Sequence, residues 1–313
     1  MQRDEWFYLF YSGSGCCGAN CNYALGLARS KTLLGPWEKN PANPILAGNG
    51  SWRCPGHGSI VNDEQGRYWL LYHAYSASNF IFTGREALLD EVKFEANQWP
   101  TINQGKGPSK MAASPFGARQ KKSELSFSDN FSNNQLKPGW QWPQDNEPKF
   151  HVETQDGKLV LSPRADRSKD FLGAVLARST TTGDYVASAV LHVSGQQAGV
   201  LAGLSAFGDS ANAMGAGYKD GKLVLWRRDK GQHKQLAEID SPKGENIHLR
   251  LTAHEGHSFQ FSASNDGNNW KPIGDDLQGK HLPPWDRSIR VALTVGGAEN
   301  GSAQFRSVRI APQ

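Results

Sequence analysis

The sequence predicts an all-β protein of two units joined by a polar linker, and three observations predict it. No long segment carries apolar residues at the i, i+3, i+4, i+7 spacing of an amphipathic helix. Short apolar or alternating runs recur along the chain, separated by Gly, Pro, Asn and Asp. The pattern lapses once, over 104–124, where Gln104–Lys110 and Ala118–Glu124 are polar and aperiodic. At roughly 150 residues per domain, 313 residues suggest two domains with sizeable cores.

In order, Trp6–Tyr11 is a continuous apolar run, as in a strand buried on both faces. Tyr23–Ala28 is the next strand. Ser59–Val61 and Tyr68–Ala74 flank the turn Asn62-Asp63-Glu64-Gln65-Gly66 and form a hairpin, and Leu88–Phe94 follows. Beyond the linker, Lys158–Leu161 and Lys222–Trp226 each follow an Asp-Gly turn. His248–Thr252 and Ser258–Ser264 alternate, and Arg290–Leu293 and Ala303–Ile310 close the series. Many short strands with regular turns predict a two-sheet sandwich or jelly roll over 125–313. The units are thus 1–110 and 125–313, with the linker at 111–124.

Composition excludes several classes. Hydrophobic residues at 38% and charged residues at 20% are globular rather than disordered values. No run approaches ~18 apolar residues, so no membrane span or membrane partner is expected. The net charge of +4 is scattered, without the basic, aromatic-interleaved patch of a nucleic-acid binder. The first residues contain no signal-peptide pattern, and the chain enters a strand almost at once, as in a mature form or a truncated chain.

Cys16, Cys17 and Cys21 lie within six positions, and Cys54 follows. Four cysteines allow three connectivities. Adjacent Cys16 and Cys17 suit tetrahedral zinc poorly. Two disulfides lead the readings, ahead of free buried thiols and a metal, and bridged cysteines would indicate an oxidising compartment.

A set of motifs in the first unit carries a resemblance. In order these are Leu34-Gly35-Pro36-Trp37-Glu38, Asn43-Pro44-Ile45-Leu46, Cys54-Pro55-Gly56-His57-Gly58-Ser59, Gly66–Tyr75, Thr83-Gly84-Arg85-Glu86 and Gln98-Trp99-Pro100. Over residues 3–110 they resemble the last blades of the five-bladed β-propeller of glycoside hydrolase family 43, which holds β-xylosidases, α-L-arabinofuranosidases and arabinanases. Asp129-Asn130-Phe131, Trp140-Gln141-Trp142 and the Phe259–Trp270 region resemble the concanavalin A-like sandwich that often follows such propellers.

The resemblance implies inverting hydrolysis of hemicellulose glycosides. That chemistry needs a general base and a general acid about 6.5–9.5 Å apart across the scissile bond. In the family the acid is the Glu of a Glu-Gly-Pro motif, which this sequence lacks, and the other carboxylates come from earlier blades. No general acid or base is therefore assigned in this chain. Asp4, Glu5, Asp63, Glu64, Glu86, Asp90 and Glu91 read as turn, surface or ion-pair residues. His57 matches a histidine at the base of the family's active site, which contacts the catalytic carboxylate and substrate or reaches a central metal or water. Arg85 matches an arginine that points at the sugar, against the alternative of a surface pair with Glu86. Trp52, Phe80 and Phe82 are candidate sugar platforms on nearby loops, against ordinary packing. His73 reads as a strand-interior residue.

The resemblance also implies that Cys54 bridges to one of Cys16, Cys17 and Cys21. It implies no required cofactor, with a structural calcium left open, and a xylo- or arabino-oligosaccharide as partner. The parent protein is expected to be extracellular or periplasmic, with a cytoplasmic location kept open. The rival reading is a non-catalytic carbohydrate-binding or structural sandwich with an inert propeller remnant.

Overall fold

The computed structural model describes residues 1–18, 20–78, 84–115, 117, 126–280, 282 and 288–313. The chain divides into one unit over Met1–Lys122 and a second over Ser123–Pro284 and Ser288–Gln313. That division falls inside the stretch read as a linker. Residues 116 and 118–124 of this stretch lie outside the described residues, whereas Pro115 belongs to the first unit and accepts a hydrogen bond from Arg67.

The first unit holds strands β1 (Gln2–Arg3), β2 (Trp6–Gly13), β3 (Ala24–Ser30), β4 (Glu38–Lys39), β5 (Trp52–Asn62), β6 (Tyr68–Ser76), β7 (Arg85–Lys93) and β8 (Thr101–Ile102). They form two four-stranded antiparallel sheets, each in chain order. The expected β5–β6 hairpin forms with Asn62 opposite Tyr68. Its turn is built on Asp63, which accepts the Gln65 and Arg67 backbone N–H groups, the Arg67 guanidinium and the Trp69 indole. The indole bond above all holds the Asp63 carboxyl down at about 2. This carboxylate is structural.

A core of Leu25, Leu46, Leu70, Tyr72, Ala74, Leu88, Val92 and Ile102 draws on both sheets. Successive strand residues point to opposite faces. In β6, Leu70, Tyr72 and Ala74 enter this core while His73 faces away. The same alternation corrects one expectation. The apolar run of β2 is not buried on both faces: Tyr8 is buried, while Leu9 is 46% exposed. Tyr8 packs edge-on against Phe94, and Phe10 packs against the core, so one face is covered and the Leu9 face is open.

The second unit holds β9 (Phe127–Asp129), β10 (Lys149–Glu153), β11 (Lys158–Ser162), β12 (Ala174–Arg178), β13 (Tyr185–His192), β14 (Leu201–Asp209), β15 (Asn212–Lys219) and β16 (Lys222–Asp229). It continues with β17 (Gln232–Asp240), β18 (Asn246–His254), β19 (Ser258–Ser264), β20 (Lys271–Pro272), β21 (Leu277–Gln278), β22 (Arg290–Gly296) and β23 (Ala303–Pro312). One sheet runs β10-β11-β23-β13-β18-β19-β20, with β9 on β23 and β21 on β19; the other runs β12-β22-β14-β15-β16-β17. Contacts of β14 with β13 and β18 join the two sheets into the expected sandwich.

Leu225 of β16 meets Gly274 beside β20, so Val224 and Trp226 face away from the nine-stranded sheet. They lie in a second apolar layer with Phe207, Ala213, Ala292 and Leu172. The segment leading into β12 fastens onto this face. Asp170 makes a forked ion pair with Arg228, and Phe171 packs on His233, whose ring stacks on Trp226. Trp226 is buried in this second layer. Trp140, Trp142 and Trp270 are half-buried, against Phe127, Phe150 and Arg250 respectively.

The Arg228 side chain is 9% exposed, so it depends on its acid. Burial pushes the Asp170 carboxyl up, but the Arg228 guanidinium and the Leu172 backbone N–H, both donating to it, together with the nearby Arg167 charge hold the group below the ordinary range. Removing one partner of a buried pair typically costs about 3–5 kcal/mol. Asp170→Ala should destabilise the sandwich by about that amount in urea unfolding at pH 7. A change within about 0.5 kcal/mol would show the pair to be an ordinary surface contact.

Candidate functional site

The site begins at an irregular stretch of β5. Its pairing with β6 shifts register between Arg53 and Gly56 and again between Gly56 and Ser59. Cys54 and His57 both have φ in the left-handed region, at 56° and 55°. Gly56 and Gly58 are required here. A Cβ on Gly56 would overlap the Tyr23 ring, and one on Gly58 would lie 2.6 Å from Leu70. His57 is exposed, and its backbone N–H donates to the Ser12 hydroxyl at the end of β2.

Across the hairpin, His73 of β6 stands opposite Gly56 and Ala87, and Arg85 of β7 stands opposite Tyr75. Arg85 and His73 are therefore diagonal neighbours on one face. The Arg85 Nη1 to His73 Nε2 distance is 3.1 Å. The His73 ring stacks with Tyr23, centroids 5.9 Å apart, and with His57 at 6.2 Å. Burial lowers the His73 pKa to about 4, with the Arg85 and His57 charges adding to the effect. Among the described residues no carboxylate opposes that shift. Glu86 lies across from Ala74 on the opposite face, half-buried, and its Oε1 has no hydrogen-bond partner among the described residues; burial pushes its carboxyl up.

The loop between β2 and β3 is pinned beside this cluster. Cys21 is bonded to Cys54, and Cys16 to Cys17. Gly15 and Asn22 close the loop through Gly15 N–H to Asn22 Oδ1 and Asn22 N–H to Gly15 O. Tyr23 follows directly.

Sequence reasoning placed His57 and Arg85 together, and both face the His73 ring. It missed His73, although a lone polar residue in the apolar run Tyr68–Ala74 was the available signal. Trp52 belongs elsewhere. Its indole N–H donates to the Ser109 carbonyl and its ring packs on the first-unit core, so that packing, rather than a sugar platform, accounts for it. Phe80 and Phe82 lie outside the described residues. Among the described residues no group of three or more His, Cys, Asp or Glu could hold a metal. Calcium seeks six to eight oxygens, and imidazoles with a guanidinium do not fit it.

Residues 1–100 match the family model of glycosyl hydrolases family 43, and residues 128–284 match that of the β-xylosidase C-terminal concanavalin A-like domain. A xylosidase/arabinosidase 43B of Humicola insolens is 26% identical over 296 residues, covering 88% of this chain and 54% of that protein. An extracellular endo-α-(1→5)-L-arabinanase of Bacillus subtilis is 32% identical over 108 residues, covering 32% of this chain and 31% of that protein. The crystal structure of the family 43 protein BlXynB from Bacillus licheniformis superposes with a TM-score of 0.79 at 21% identity, covering all of this chain and 64% of that one. The chain thus spans about half of the first relative and under two thirds of that structure. The fold is part of a β-propeller followed by a concanavalin A-like sandwich.

Two outcomes follow for the first unit. The Cys21–Cys54 bridge closes a loop of 33 residues, and chain entropy assigns such a bridge about 4 kcal/mol. Cys21→Ser with Cys54→Ser should lower first-unit stability by that order in urea unfolding; an unchanged midpoint would contradict it. For His73 the folded pKa of about 4 lies below the ordinary 6.5. The unfolded chain then takes up a proton that the folded one refuses. This contribution is complete above pH 6.5 and is lost as pH falls toward 4. Urea midpoints at pH 7 and pH 5 should converge in His73→Gln relative to the unmodified protein.

Proposed function

Because the chain belongs to glycoside hydrolase family 43, we propose that it supplies the sugar-binding side of a glycosidase acting on xylose- or arabinose-containing hemicellulose, with inversion. The observation that carries this reading is the face shared by His57, His73 and Arg85 on the unit that matches the family. A guanidinium offers a rigid fork of donors to sugar hydroxyls or to a carboxylate, which it also holds ionised. The exposed imidazole of His57 offers a second polar contact beside it. Inverting hydrolysis further requires a general acid and a general base. Neither is assigned to a residue of this chain, and positioning without them gives binding and no turnover.

The partner in this reading is a xylo- or arabino-oligosaccharide, with no nucleic acid and no membrane. No cofactor is called for. An extracellular or periplasmic site of action is supported by the two disulfides and by the relatives named as extracellular. No helix among the described residues is long and apolar enough to cross a membrane.

The test is titration of this chain with xylobiose and arabinobiose, alongside p-nitrophenyl xyloside and arabinofuranoside assays. Losing charge-assisted hydrogen bonds of about 1.5–3 kcal/mol corresponds to roughly 10- to 100-fold in affinity. Arg85→Ala should weaken binding by that range. Hydrolysis by this chain should not exceed that of a His57→Ala, Arg85→Ala double variant. In a longer protein that contains this chain, Arg85→Ala should lower kcat/KM by a similar factor. Absence of sugar binding would refute the reading. Turnover abolished by replacing Asp4, Glu5 or Glu86 would instead place the acid–base machinery within these residues.

A further inference from the structure

We propose that His73 is a positioning residue for Arg85, held as the neutral Nδ1–H tautomer so that its Nε2 lone pair fixes the plane of the sugar-binding guanidinium. The inference rests on the reading of Arg85 given above, and it concerns a residue that the sequence analysis read only as strand-interior.

A guanidinium has donors and no acceptor, and it does not lose its proton in proteins. At 3.1 Å from Arg85 Nη1, His73 Nε2 must therefore accept. A proton on Nε2 would set two donors against each other. The remaining proton must sit on Nδ1, as in the usual complementarity of the two ring nitrogens. Nδ1 is buried and has no hydrogen-bond partner among the described residues. A buried donor without a partner is ordinarily selected against. The other tautomer would relieve that donor only by breaking the contact with Arg85. The unsatisfied Nδ1–H thus marks a contact maintained against a local cost.

Ring orientation is set independently. Tyr23 lies nearly parallel to the imidazole, at 17° between planes, and His57 at 23°. Tyr23 is itself held where Gly56 leaves no room for a Cβ, two residues beyond Cys21 and its bond to Cys54. A chain of contacts therefore runs from the bridge through Tyr23 and His73 to Arg85. Burial keeps the imidazole uncharged at neutral pH, in agreement with the acceptor role.

Mere packing would be served by any flat ring at this position. The test separates packing from acceptance. His73→Phe keeps a ring for Tyr23 and His57 and removes the acceptor; His73→Gln shortens the group but retains a carbonyl that can accept from Arg85. The ¹⁵N-labelled chain should show His73 with Nδ1 protonated and Nε2 unprotonated in long-range proton–nitrogen spectra. The Arg85 Nε–H group should be ordered in the unmodified protein and in His73→Gln, and more mobile in His73→Phe. Xylobiose or arabinobiose affinity should fall about tenfold or more in His73→Phe and stay within about threefold in His73→Gln, the scale of one charge-assisted hydrogen bond. An Nε2–H tautomer, or unchanged Arg85 order in His73→Phe, would overturn the proposal, as would equal loss of sugar affinity in both variants. If the unmodified chain binds neither sugar, the functional reading fails, while the tautomer and the Arg85 order still decide whether His73 positions the guanidinium.

Discussion

There is no space for a side chain at Gly56, and the arrangement of the first unit's site depends on that. With Cβ absent, the Tyr23 ring can lie against the β5 backbone, in the space that atom would fill. The same stretch carries two register shifts and two non-glycine residues in the left-handed region. Such backbone is costly and persists where its surroundings over-determine it. Here the surroundings are a disulfide at Cys54, a hydroxyl from Ser12 on the His57 N–H, and Leu70 beneath Gly58. Together they turn the His57 imidazole outward from a strand whose regular pleat would have placed it differently.

Both units contain an arginine oriented by a specific acceptor. In the sandwich, Arg228 is nearly enclosed and is met by a carboxylate, a full countercharge with a forked geometry. In the first unit one contact of Arg85 is with the His73 imidazole. The carboxylate pair suits a strap that must stay fastened across a sheet, and a neutral acceptor such as an imidazole adds orientation without itself supplying charge.

Much of the fold was legible because period-two patterning and turn chemistry act locally. The Asn62–Gly66 turn, the β6 run and the alternation of β18 and β19 each specify their strand without knowledge of distant residues. The exception was β2, where an unbroken apolar run suggested two covered faces and Leu9 faces outward. Composition within a strand shows which residues tolerate burial; it does not show which layer covers them. Trp52 illustrates the same limit, because its indole meets Ser109, 57 positions later.

The site was legible only in part, and the reason is register. His57 and Arg85 stand in short motifs, so sequence order suffices to find them. His73 acquires its role from a diagonal across two strands, from the ring of Tyr23 far earlier in the chain, and from a bulge that brings Gly56 opposite it. None of these relations has a signature at fixed spacing. A single polar residue in the run Tyr-Trp-Leu-Leu-Tyr-His-Ala is nonetheless an anomaly on physical grounds, since an imidazole on a largely covered face needs a partner. When the strand pairing is drawn, a group able to donate to it on that face is Arg85. Polar residues interrupting apolar strands are therefore best read in pairs across a ladder, where the hydrogen-bonding inventory of the two side chains decides which of them accepts.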